Sequence, residues 1–239
     1  MLVGSDKTTL DRGHVAKKGR CQARRRRQGG NTMLEFALAM LILLPIFMGV
    51  VWGGVTIGRG IQVSSVARDV AQMYARSVDF GSNNCTSAYN PPSTAGFCNQ
   101  DIVVRLSKGL YLERVNSPRG LGGGQSVFIL STIQHVYQSD CDLLPVGETC
   151  NNLGQDVFIN RIVIGNAALR SSNFGTPGGV APDGKVDNPF SSAAAVAHNF
   201  SPLLALGEGD IAYVVEGYVD SSDISMTSGA GGIYTVSIF

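Results

Sequence analysis

Gly29-Gly30-Asn31 and Glu35-Phe36 are the residues of this chain whose types and spacing invite chemistry. Four arginines, Arg24 to Arg27, precede the glycine pair, and a single carboxylate follows it. No charged residue then appears from Phe36 through Gly58. A peptidase cut after Gly30 would make Asn31 the new N-terminus and Glu35 the fifth residue of the shortened chain. A free amine would then lie about one helical turn from a carboxylate, in the same chain or in a neighbour. An unpaired carboxylate at the edge of a membrane helix is costly, so Glu35 reads as a functional acid with an amine partner. The competing reading leaves Glu35 among the headgroups beside the arginines, at little cost.

Elsewhere, residues able to do chemistry are sparse. The three histidines, His14, His135 and His198, fall far apart and fit structural positions. No nucleophile elbow, phosphate loop or zinc pattern is present. Gly122-Gly123-Gly124 follows Pro118 and leads into a strand-like run, which is the wrong context for a phosphate site. Asp183-Gly184-Lys185-Val186-Asp187 and the Asp140, Asp142, Glu148 group are fragments of a calcium loop without its full ligand pattern. The expectation is a protein with no catalytic residue, no metal ligand and no cofactor.

The elements that position the glycine–glutamate signal come next. The 23 residues from Phe36 through Gly58 make a helix of roughly 34 Å, enough to cross a hydrocarbon core of about 30 Å. Residues 1–30 hold nine of the 19 Lys and Arg and two of the 18 Asp and Glu. That bias places the N-terminus in the cytoplasm and the C-terminal domain outside. A cleaved secretory signal peptide fits less well, because the apolar run exceeds the h-region of about 7–15 residues and leads into an amphipathic helix. With the basic leader set aside, the remainder is acidic. A nucleic-acid role would want a basic patch on the folded domain, and none is visible.

Four regions follow: a basic cytoplasmic leader (1–30), a transmembrane helix (31–58), an amphipathic extension (59–79) and an extracytoplasmic domain (80–239). Pro45 lies in mid-span and predicts a kink or opened turn near Met40–Leu44. Gly49 and Gly53 have the spacing of close helix–helix contacts. Val63, Val66, Ala67, Val70, Met73 and Tyr74 recur at three- and four-residue steps. One helix is therefore expected from about Thr32 to Val78, laying this stripe on a sheet. Residues 1–28 show no periodicity and read as disordered.

Beyond Phe80 a loop holds Cys85 and Cys98. Asp101–Leu106 and Leu110–Val115 read as a strand hairpin. Ser126–Gln138, Gln155–Gly165, Asp210–Asp220 and Gly232–Phe239 read as strands. Asn173–Pro189 is rich in glycine, proline and aspartate and reads as an exposed loop. Ser191–Asn199 reads as a short helix. Cys21 lies in the leader. Cys85, Cys98, Cys141 and Cys150 are an even number on the oxidising side, with three possible connectivities. Cys85–Cys98 and Cys141–Cys150 are preferred, because each pair brackets its own loop. A four-cysteine zinc site would want closer CxxC spacing. The domain expected is α+β, with a mostly antiparallel sheet against the long helix.

The run from Gly30 through Glu35-Phe36 into a long apolar helix resembles the class III signal of type IV pilin-like proteins. Over about residues 29–76 the chain resembles the TadE-like family of tight-adherence (Tad) pilus proteins. The matching residues are Gly29-Gly30, Glu35-Phe36-Ala37, Pro45, Gly58-Arg59, Ala67-Arg68-Asp69 and Ala75-Arg76. Two positions depart from the common pattern: Phe36, and the acid-free Trp52-Gly53-Gly54. The resemblance implies a pilin-like fold and a non-enzymatic minor pilin or pseudopilin in an inner membrane. A prepilin peptidase would trim it after Gly30. Its implied partners are other pilins or pseudopilins, Tad inner-membrane assembly proteins and the lipid bilayer, with no nucleic acid. The alternative is an uncleaved single-pass membrane protein with an extracytoplasmic ligand-binding domain.

Overall fold

The computed structural model describes residues 21–81, 99–110, 112, 124–220 and 231–239, with side chains from Thr32 onward. The first element, α1, runs from Cys21 to Ala75. It starts earlier than the apolar pattern suggests, and helix already covers residues 21–28. Helix continues through Met40–Leu44 and Pro45. The chain divides into two compact units, Met1–Gly54 and Val55–Phe239.

In the second unit the stripe is buried as its spacing requires. Val63, Val66, Ala67, Val70, Ala71 and Tyr74 all lie in the core, with Met73 packed against it. Helix α1 stops by a Schellman arrangement. The Val78 N–H donates to the Met73 carbonyl (3.1 Å) and the Ser77 N–H to the Tyr74 carbonyl (3.0 Å). Ser77 sits at φ 63°, the left-handed position that glycine usually fills. A left-handed L-residue costs roughly 1–2 kcal/mol. Ser77→Gly is therefore expected to stabilise the domain by about 0.5–1 kcal/mol, read as a higher thermal midpoint; a lower midpoint would contradict the strain.

Four strands follow in the chain: β1 (Ser126–His135), β2 (Asp156–Gly165), β3 (Ile211–Asp220) and β4 (Gly232–Ile238). They form one antiparallel sheet in the order β2-β1-β3-β4. One face packs on α1 through Phe128, Leu130, Ile162, Ile164, Val215 and Val219. The opposite face is covered by the long connection between β2 and β3. Ile133, Phe158, Val214 and Ala212 meet Phe174, Val186, Ala195, Ala197 and Phe200 there.

A bulge makes the two faces compatible. Thr132 pairs with Asn160 but Ile133 with Phe158, leaving Ile159 unpaired. The extra residue turns Phe158 to the loop-covered face, while Ile162 and Ile164 stay on the helix side. Gly184 (φ +89°) docks at this bulge, and its carbonyl accepts the Arg161 N–H at 2.7 Å. A Cβ on Gly184 would stand 2.6 Å from the Ile162 side chain and 2.7 Å from the Asn160 amide, so only glycine fits.

Three expectations are corrected. Residues 99–109 form a helix, α2 (Asn99–Gly109), instead of half of a hairpin. Val103 and Ser107, one turn apart, are its buried residues, and Leu106 and Leu110 join the α1 core. The β-branched Ile102-Val103-Val104 suggested a strand, but the helical face buries more apolar surface. Ser191–Asn199 is not a regular helix; only Ala193–Ala195 make a 3₁₀ turn. The following residues are captured by β2, through a Val157–Val196 bridge and the Ala197 N–H on the Asp156 carbonyl (2.7 Å). Asn173–Pro189 is not wholly exposed, since Phe174 and Val186 are core residues.

Candidate processing and assembly site

All the residues of the glycine–glutamate signal lie on α1, including Gly29, Gly30, Asn31, Glu35 and Phe36. Glu35 is exposed, as is every described residue from Thr32 to Trp52. The large apolar side chains Met33, Leu34, Phe36, Leu38 and onward to Ile57 are exposed among the described residues. So extensive an apolar surface requires lipid or neighbouring helices. One helix of the described residues is long and apolar enough to cross a membrane, and it supports membrane anchoring. Gly49, Gly53, Gly54 and Gly58 have nothing within 4 Å of a Cβ position. Gly49 and Gly53, one turn apart, mark a side of α1 that could approach another helix closely.

The folded domain contains buried polar groups that composition alone did not reveal. Glu216 on β3 is 2% exposed. It accepts hydrogen bonds from the Ser172 hydroxyl, the Asn173 N–H (2.9 Å) and the Tyr234 hydroxyl (2.5 Å). The Arg170 guanidinium lies 4.0 Å from the Tyr234 ring centroid and 5.6 Å from that of Tyr218. Burial, and the hydrogen bond to Glu216, push the Tyr234 hydroxyl well above the usual phenol range. Burial lowers the Arg161 guanidinium, against the pull of Glu216, and one of its N–H groups donates to the Gly175 carbonyl. The alternation Ala212, Val214, Glu216 was the available signal. It places this acid on an inward face.

On the helix side, Tyr74 shares a hydrogen bond with the Thr132 hydroxyl (2.8 Å) and donates to the Asn160 carbonyl oxygen (3.1 Å). Burial pushes its pKa up from 10.0 to about 12. Raised tyrosines stabilise the fold fully below the unfolded value, and that stability is lost as pH rises toward the folded value. The domain is therefore expected to weaken above about pH 10. Tyr234→Phe should flatten part of that loss in an alkaline unfolding series; an unchanged slope would argue against ionisation of Tyr234.

His135, Asp156 and Ser201 also meet, but not as a catalytic triad. His135 Nδ1 lies 2.8 Å from one oxygen of buried Asp156, and the Ser201 hydroxyl donates to the other at 2.7 Å. The carboxylate stands between serine and histidine, so the imidazole is not placed to take the serine proton. This trio ties the ends of β1 and β2 to residue 201. Among the described residues no three His, Cys, Asp or Glu side chains converge on a metal position. His198 is exposed and makes its bond to the Phe174 carbonyl through the backbone.

Cys141 and Cys150 form a disulfide, with Cα atoms 5.4 Å apart. The bridge closes the loop after α3 (Gln138–Asp142), where Asp140 accepts the Tyr137 N–H at 2.9 Å. Cys85 and Cys98 lie outside the described residues. Asp183 pairs with Lys185 at 3.6 Å.

The family model described as TadE-like protein matches residues 30–72. The match begins on the second glycine of the signal and ends within the buried stripe of α1. No curated protein and no solved structure matches the chain.

Proposed function

We propose that this chain, with its TadE-like segment at residues 30–72, is a non-enzymatic minor pilin or pseudopilin of a Tad-type pilus or secretion system. The carrying observation is that the match starts at Gly30 and continues on a helix whose apolar side chains, from Met33 to Ile57, are exposed among the described residues. A prepilin peptidase cuts after Gly30. Asn31 then carries the free amine, and Glu35 neutralises that amine or a neighbouring subunit's in apolar surroundings. The N-terminus faces the cytoplasm, and the sheet domain lies outside the inner membrane. Other pilins or pseudopilins and Tad inner-membrane assembly proteins are the partners.

N-terminal sequencing and intact mass of membrane-extracted protein, with and without the peptidase, test the cut. A peptidase-dependent N-terminus at Asn31 is expected. Glu35→Gln should insert normally into the membrane yet fail in pilus assembly. Normal assembly by that variant would sink the pairing role of Glu35.

One observation favours a second reading. Helix α1 is continuous through Gly29-Gly30, so the bond to be cut lies inside a helix. An uncleaved single-pass protein with a ligand-binding outer domain would keep its basic leader in the same mass measurement.

A further inference from the structure

Among the described residues one edge of the sheet is open. Tyr213 and Phe239 exchange both backbone hydrogen bonds, at 2.8 and 3.0 Å. The β3–β4 register is regular, so bonding direction alternates along β4. Ile233, Thr235 and Ser237 direct their backbone groups at β3. Tyr234, Val236 and Ile238 direct theirs outward, where no backbone partner meets them among the described residues. Proteins usually blunt such an edge with charge, proline, a bulge or a covering segment. No charged residue or proline occurs from Gly231 to Phe239, and the register shows no bulge.

The opposite edge shows the contrast. The outer side of β2 is met by its own chain from Asp156 to Arg161: the Val186 N–H donates to the Ile159 carbonyl, the Arg161 N–H to the Gly184 carbonyl, and the Ala197 N–H to the Asp156 carbonyl. Beside β4, on the loop-covered face, lies a groove of about 560 Å³ lined by Asn173, Phe174, Asn199, Leu203, Val236 and Ile238. The residues with outward backbone groups thus also supply part of the groove wall. A strand added there would turn every second side chain toward that groove.

We propose that β4 and this groove receive an extended, uncharged segment of a partner chain, with apolar residues at alternate positions, by strand addition. The outward backbone groups of Tyr234, Val236 and Ile238, unpaired among the described residues, suit an extended partner. The groove's apolar walls and neutral asparagine amides select its side chains. A charged residue there would lose water without gaining a counter-ion.

The occupant is not a second folded copy. Pairing β4 with β4 antiparallel relates two copies by a two-fold axis along the sheet normal. That axis reverses every direction in the plane of the sheet, including that of α1 lying on its face. Residues 55–75 of the two copies would then run in opposite directions, which entry of both chains from one bilayer does not allow, a step that rests on the anchoring proposed above. Pairing β4 with β2 of another copy would keep the helices parallel, but residues 184–186 and 197 already meet that edge from Asp156 to Arg161.

The probe is a synthetic peptide of residues 231–239 with a fluorophore and two added N-terminal lysines, titrated onto the full-length protein in detergent. A free peptide escapes the two-anchor constraint, so saturable binding is expected. Val236→Pro deletes an outward N–H and spares the bonds to β3. Val236→Lys places charge in the groove. Each should weaken binding about tenfold or more while thermal unfolding stays cooperative. Absence of saturable binding to the unaltered protein, or equal binding by both variants, overturns the proposal. So does a disulfide-linked dimer formed through Ser237→Cys in membranes, since that makes the occupant a second copy. A retained leader in the intact mass would defeat the pilin reading and leave the peptide titration unmoved.

Discussion

Gly30→Phe protein is expected to keep residues 1–30 in full, with no N-terminus at Asn31 even when a prepilin peptidase is present. The reason is local. Helix α1 runs unbroken through Gly29-Gly30, and a peptidase must open that helix and bring the backbone close to its own catalytic groups. Each glycine lowers helix stability by about 0.5–1 kcal/mol relative to alanine. Two in succession make this a weak point of the helix. Glycine also lets the backbone approach another surface without a Cβ in the way. Gly29→Ala removes one source of helix weakness and keeps Gly30 bare, so it should slow processing without stopping it. Gly30→Phe removes the close approach and should stop it. Complete processing of Gly30→Phe, read by intact mass, would refute a cut after Gly30. Membrane insertion of both variants should be normal, because the apolar run beginning at Phe36 is untouched.

The long helix and the strands were legible in the sequence because each has one dominant periodicity. Val63, Val66, Ala67, Val70 and Tyr74 fall on one side of a helix, and all are core residues. The alternation in residues 160–165 and 211–220 sets two faces, and both faces are covered. Short segments were less legible. Ile102-Val103-Val104 carries strand propensity, yet Val103 and Ser107 place it on a helix against α1. The alanines at 193–195 favour helix, yet the bare edge of β2 captures Val196 and Ala197 first. The bulge at Ile159 left no mark in the strand's composition. It follows from the docking of Gly184 and Val186 at the edge, which is a tertiary event. Of the proposed processing site, residue types and spacing were all readable, and the continuity of α1 across Gly29-Gly30 was not. Propensity argues against helix at a glycine pair, while the long helix that follows carries the conformation back across it.

Glu216 was the largest omission, and it carries the second large expected effect. Its carboxylate is buried and gathers three donors from two separate parts of the chain, Ser172-Asn173 and Tyr234. It thereby holds the β2–β3 connection to the middle of the sheet, and Arg170 is stacked on Tyr234 above it. Glu216→Ala would leave these donors without an acceptor and Arg161 without the negative charge that opposes the effect of its burial. An unsatisfied buried donor costs about 1–3 kcal/mol, so a loss of roughly 3–5 kcal/mol is expected. That is a large part of a typical domain stability of about 5–15 kcal/mol. Glu216→Gln keeps one acceptor oxygen but turns an amide N–H₂ toward a donor. It should fall between the two, losing roughly 1–3 kcal/mol. Tyr234→Phe removes one hydrogen bond and should cost about 1 kcal/mol. Denaturant unfolding of the full chain in detergent, followed by near-ultraviolet circular dichroism, separates these cases. The order unaltered, Gln, Ala is the signature of a charged acceptor. If Glu216→Ala stayed within about 1 kcal/mol of the unaltered protein, the connection would be held by Phe174, Phe200 and Val186 instead, and the carboxylate would be incidental to it.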